Sequence, residues 1–171
     1  MNGKIRNKRI VQILILGAIL AIGGYTVIQS LAEEKSEPPK TGEKAPNFSL
    51  TGLDGKTYDL KDYRGKTVLV NFWGTFCPPC VNEMPLLDSV YRKYGGEVVI
   101  LGVNLDEPEL TVQRFVDRYG ITFPILLDDM TVQRMYGVYQ YPTTFVINPE
   151  GEIIDIKIGE FVSQEEILRY L

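Results

Sequence analysis

Histidine is absent from this chain and cysteine occurs only twice, at Cys77 and Cys80. Without imidazole, no Ser-His or Cys-His catalytic pair can form. A closed zinc site takes four Cys or His ligands, so two thiolates would have to recruit two carboxylates. No metal and no other cofactor is expected. Basic residues are also scarce outside the N-terminus. Lys4, Arg6, Lys8 and Arg9 lie in the first nine positions, and without them 14 Lys and Arg stand against 22 Asp and Glu. A domain of net charge −8 repels nucleic acid and anionic lipid, so neither is an expected partner of it.

Charge is missing altogether from residues 10–32. A helix over 10–31 would span about 33 Å, enough for the hydrocarbon core of a bilayer. The basic tail, residues 1–9, predicts a cytoplasmic N-terminus and places the rest of the chain on the extracytoplasmic side of the cell membrane. Ser30-Leu31-Ala32 would pass as a signal-peptidase site, but the apolar run is longer than a signal-peptide core of roughly 7–15 residues. An uncleaved transmembrane signal-anchor over 10–32 is therefore expected. Residues 33–44 are charged and rich in Pro and Gly, and read as a linker. One domain follows over 45–171, long enough to bury its own core, and a monomer is expected.

The two thiols are best read as a pair. They sit at the end of an apolar run and the start of a helical pattern, where unpaired backbone N–H groups and the helix dipole stabilise a thiolate. Such a pair can cycle between dithiol and disulfide, which implies thiol–disulfide exchange. The competing reading is a purely structural bridge. Closing a loop of two residues removes little chain entropy, so that bridge would stabilise weakly.

Periodicity supplies the framework. Residues 67–73 (TVLVNFW) and 97–104 (EVVILGVN) read as buried strands, with a helix from Pro78 to about Tyr94 between them. Its apolar face is expected at Leu86, Leu87, Val90, Tyr91 and Tyr94, and Pro85 is expected to kink it. A second helix is predicted over 109–119, a strand over 123–127 and a short helix over 130–136. Residues 143–147 and 152–158 form a hairpin across Asn148-Pro149-Glu150-Gly151. A last helix over 163–171 opens on a capping box, Ser163 with Glu166. Ahead of these, residues 48–60 suggest a small hairpin. Strands alternating with helices and closing on a hairpin give an α/β sandwich with a mixed sheet. Asn71, inside a buried strand, requires a hydrogen-bond partner.

Trp73-Gly-Thr-Phe-Cys77-Pro-Pro-Cys80, with Tyr141-Pro142-Thr143 downstream, resembles the thioredoxin superfamily. The opening Ala45-Pro46-Asn47-Phe48, the Asp54-Gly55-Lys56 turn, Glu83 and Asn148-Pro149-Glu150-Gly151 are more specifically similar to the membrane-anchored TlpA/ResA-like thiol–disulfide oxidoreductases. The resemblance implies a thioredoxin-like fold: a central mixed β-sheet flanked by helices, with an added N-terminal hairpin and a central α/β insert. It implies Cys77 as the attacking thiol and Cys80, one turn further in, as the resolving one. Pro78 and Pro79 remove two N–H donors from the helix start, which predicts an only modestly lowered Cys77 pKa. An X–Pro bond is trans by default; the resemblance implies a cis Tyr141–Pro142 bond facing the disulfide, with Tyr141 backbone free to pair with a substrate peptide.

Taken alone, Glu83 is a solvated partner of the helix dipole. The resemblance instead implies a partly buried carboxyl that moves protons to and from the thiols, its pKa raised by burial. Trp73 is expected beneath the active site. The implied substrate is a disulfide-containing protein, apocytochrome c foremost, and the implied electron donor is a membrane thiol carrier of the CcdA type. Endospore envelope proteins are the alternative substrate, since Pro78-Pro79 departs from the Glu-Pro of the cytochrome branch. A peroxiredoxin-like peroxidase would need Thr or Ser where Gly74 stands. A tethered binding module without catalysis is the remaining alternative.

Overall fold

The computed structural model describes residues 14–25 and 37–171. The chain divides into two units, Met1–Ser36 and Glu37–Leu171. In the first, residues 14–25 are helical, with Leu14, Leu16, Ile19 and Leu20 exposed. Among the described residues no helix is long and apolar enough to cross a membrane. The basic tail, both ends of the expected anchor and residues 33–36 lie outside the described residues.

The second unit is built on one seven-stranded sheet. Its strands are β1 (Ser49–Gly52), β2 (Thr57–Asp59), β3 (Thr67–Trp73), β4 (Val98–Leu105), β5 (Ile125–Asp128), β6 (Thr143–Ile147) and β7 (Ile153–Ile158), in the order β2-β1-β5-β4-β3-β6-β7. β3, β4 and β5 run parallel, and the other pairings are antiparallel. Helices α1 (Pro78–Tyr94), α2 (Glu109–Tyr119), α3 (Thr131–Met135) and α4 (Gln164–Leu168) complete it. This is the thioredoxin-like α/β arrangement. The N-terminal hairpin is no separate appendage: Thr51 pairs with Leu127, so β1 and β5 join the hairpin and the segment between α2 and β6 to the central sheet. β5 begins at Ile125, two residues later than expected, because Pro124 has no N–H for the ladder.

Central parallel strands are covered on both faces and read as continuous apolar runs. Alternation along β3 sends Val68, Val70 and Phe72 into a core with Tyr136 and Phe145. Leu69 and Trp73 enter the opposite core, which contains Cys77, Cys80, Met84 and Leu87. Asn71 shares that second face. Gly102 makes room there: a Cβ on it would lie 3.1 Å from Trp73 Nε1 and 2.8 Å from Ile125 Cδ1.

Three expectations need correction. The buried face of α1 is Cys80, Glu83, Met84, Leu87, Asp88 and Val90, whereas Leu86, Tyr91 and Tyr94 only pack against the core from its margin. Two acids hide in that face because each finds donors; Asp88 accepts from Arg92 Nε and Thr122 N–H. The Ser163 capping box does not close. Its hydroxyl makes no cap bond, and Glu166 accepts from Val162 N–H at 3.4 Å and pairs with Lys157 at 3.5 Å. The linker expected over 33–44 belongs, from residue 37 on, to the folded unit. Gly42 N–H donates to Ile153 O at 2.7 Å, Ile153 N–H donates to Glu43 O, and Pro39 is buried. These residues satisfy the backbone N–H and C=O of Ile153 at the start of β7.

Candidate active site

Where β3 ends at Trp73, residues 74–76 turn the chain into α1. Cys77 is the N-cap, extended at φ −102°, ψ 105°, with Pro78 and Pro79 in the first turn. Proline fits there because those N–H groups have no helical partner. The first donor left to the Cys77 sulfur is therefore the N–H of Cys80, at 3.3 Å. The two cysteines are joined in a disulfide. Cys80 is fully buried and Cys77 retains 7% exposure, so attack from outside reaches Cys77.

The Tyr141–Pro142 bond is cis. Register sets Thr143 opposite Phe72, so Tyr141 and Pro142 lead into β6 at the end of the sheet where β3 runs into the cysteine turn. Gly159 N–H donates to Pro142 O at 2.8 Å. Exposed Phe76 bridges the two segments, meeting Tyr141 edge-on with centroids 6.2 Å apart. Trp73 is fully buried in the cysteine-bearing core, its ring 5.0 Å from Phe115.

Glu83 lies one turn after Cys80 on the buried face of α1, with none of its surface exposed. The solvated reading of this residue is overturned. Asn71 Nδ2 donates to Oε1 at 2.8 Å and Phe161 N–H donates to Oε2 at 2.9 Å. Asn71 Nδ2 also reaches Thr144 Oγ1 at 2.9 Å, which supplies the partner the sequence required. Burial pushes the Glu83 carboxyl up to about 7; the Phe161 and Asn71 bonds pull the other way, Glu160 raises it and Lys157 lowers it. A group titrating there can give and take protons at neutral pH.

A profile of the AhpC/TSA family matches residues 41–156. This chain belongs to that family. Thiol-disulfide oxidoreductase ResA of Halalkalibacterium halodurans is 45% identical to it over 152 residues, covering 88% of this chain and 86% of the relative. The ResA of Geobacillus kaustophilus is 42% identical and covers 98% of this chain and 97% of its own. Among solved structures, a thioredoxin-family thiol:disulfide interchange protein from Chlorobium tepidum superposes with a TM-score of 0.69 at 26% identity, over 78% of this chain and 96% of that one. The chain is a thiol–disulfide oxidoreductase, with disulfide-containing proteins as its class of substrate.

Of the residues singled out from sequence, Cys77, Cys80, Pro78, Pro79, Glu83, Trp73, Tyr141 and Pro142 all fall at this end of the sheet. Thr144, Phe161 and Glu107 were not anticipated. Asn71's need for a partner pointed to the first of these. Phe161 contributes only a backbone N–H, which leaves no mark on sequence.

Proposed function

We propose that this protein reduces disulfides of exported proteins, with apocytochrome c as substrate, and that a membrane thiol carrier of the CcdA type returns it to the dithiol. The chain is held to the membrane by a signal-anchor over 10–32, tail 1–9 inside and residues 45–171 outside, as a monomer. The carrying observation is the pairing of Cys77, which keeps 7% exposure, with a fully buried Cys80 and a fully buried Glu83 one turn on. The Cys77 thiolate attacks one sulfur of the substrate disulfide, and the other sulfur leaves as a thiolate and takes a proton. Cys80 then gives its proton to the Glu83 carboxylate and attacks Cys77 Sγ. This releases the second substrate thiol and leaves Cys77–Cys80 oxidised by two electrons. The cis Tyr141–Pro142 segment supports the substrate chain beside Cys77.

Endospore envelope proteins are a second substrate class, favoured by the Pro78-Pro79 dipeptide. A peroxidase reading loses support, since Gly74 lacks a hydroxyl and the neighbouring Thr75 hydroxyl is engaged by Glu107. The redox state of Cys77 and Cys80 in cells, trapped by acid quenching and alkylation, tests the direction. A reduced pair that turns oxidised without the membrane donor is expected; a pair oxidised in both cases points to an oxidant or a structural disulfide instead.

A further inference from the structure

The turn that delivers Cys77 to the helix is held from behind by Glu107, two positions past β4. Its carboxylate takes three donors: Thr75 N–H at 2.7 Å, Asn104 Nδ2 at 2.8 Å and the Thr75 hydroxyl. Thr75 stands two residues before Cys77. Register sets Asn104 opposite Trp73, so a side chain fixed by Asn104 faces the first residues beyond β3. Asn104 is fully buried, and its Oδ1 has no hydrogen-bond partner among the described residues.

The turn positions Phe76 as well as Cys77. Cys77 N–H closes it on Gly74 O at 3.2 Å. The Phe76 ring folds back over Gly74 so closely that a Cβ there would lie 2.4 Å from Phe76 Cε1. Phe76 is 62% exposed and meets Tyr141. Without Glu107, Thr75 would lose both of its hydrogen bonds to that carboxylate, and the 3.2 Å Cys77–Gly74 bond would be the one left within residues 74–77 among the described residues.

We propose that Glu107 is a positioning residue for thiol–disulfide exchange: it holds residues 74–76 so that Cys77 Sγ and Phe76 present a fixed face to a protein substrate. The inference rests on Cys77 being the attacking thiol. Misplacing a reacting atom by about 1 Å can cost up to about a hundredfold in rate. In the reduced full-length chain, Glu107→Ala is expected to slow reduction of a Cys-Ala-Ala-Cys-His peptide disulfide about tenfold or more. It should also shift the Cys77 pKa read from the pH dependence of alkylation. Glu107→Gln keeps an acceptor for Thr75 N–H and offers a donor that Asn104 Oδ1 can meet, so it should retain most of the wild-type rate and the wild-type Cys77 pKa.

Two results overturn the proposal: Glu107→Ala with wild-type rate and Cys77 pKa, or Glu107→Gln as slow as Glu107→Ala. Should Glu107→Ala fail to fold, Thr75→Val decides, since it removes only the hydroxyl donor; a slower exchange supports the proposal and an unchanged one overturns it. Cys77→Ser separates the two levels. If the wild type and Cys77→Ser react alike, the reading of Cys77 falls and this inference with it. If only Cys77→Ser is inert and Glu107→Ala matches the wild type, this inference alone falls.

Discussion

Asn71 on β3 donates through Nδ2 to Oε1 of Glu83 on α1, 2.8 Å away and wholly inside the protein. A single buried amide thus ties β3 to the helix that carries Cys80 and is capped by Cys77. It also holds a carboxyl that burial pushes up to about 7.

The first prediction concerns pH. Glu83 is lifted from an ordinary 4.5 to about 7 by burial. Between those values the native state holds a proton that the unfolded chain has released, so stability falls as pH rises. The loss reaches about 3 kcal/mol once pH passes the folded value. Glu83→Gln should abolish that slope, and urea midpoints from pH 4 to 8 would measure it. An identical slope in the variant would rule out Glu83 as its source.

Asn71→Ala removes a donor that favours the ionised carboxylate. Glu83 should then titrate above its wild-type value, moving the corresponding limb of the pH–rate profile upward. The lost bonds and the cavity should destabilise the fold by about 2–3 kcal/mol. A limb that stays in place would detach Glu83 from that profile.

Cys80→Ser leaves Cys77 with no resolving partner. Covalent complexes with substrate should accumulate, visible on non-reducing gels and absent from Cys77→Ser. Turnover should be lost in both variants. Complexes that form as readily in the Cys77→Ser variant would exclude Cys77 as the nucleophile.

Gly137 combines φ +64° with a close approach: a Cβ would lie 2.4 Å from the Pro38 ring. Gly137→Ala should cost about 1–2 kcal/mol and lift residues 37–39 off the domain. Faster proteolysis within 37–44 would report it. Cleavage at the wild-type rate would mean that the segment does not depend on this contact.

Much of the fold could be read from local pattern. β3, β6 and α2 lie at their expected bounds because strand and helix periods act over a few neighbouring residues. The cysteine turn was legible for the same reason, since a helix start with Pro at its first positions is a local device. The face of α1 was less legible. Apolar periodicity alone favoured Tyr91 and Tyr94, and it could not register that Glu83 and Asp88 are buried by donors on other elements.

Composition and spacing were enough to specify a redox pair at a helix start on an α/β sheet, because thiol chemistry, proline geometry and hydrophobic alternation are written in adjacent residues. The active site's polar framework was settled by chain segments far apart. Glu83 meets Phe161 across 78 positions, Asn71 meets Thr144 across 73, and Thr75 meets Glu107 across 32. A buried polar group needs partners wherever folding brings them, and residue order does not announce which ones arrive.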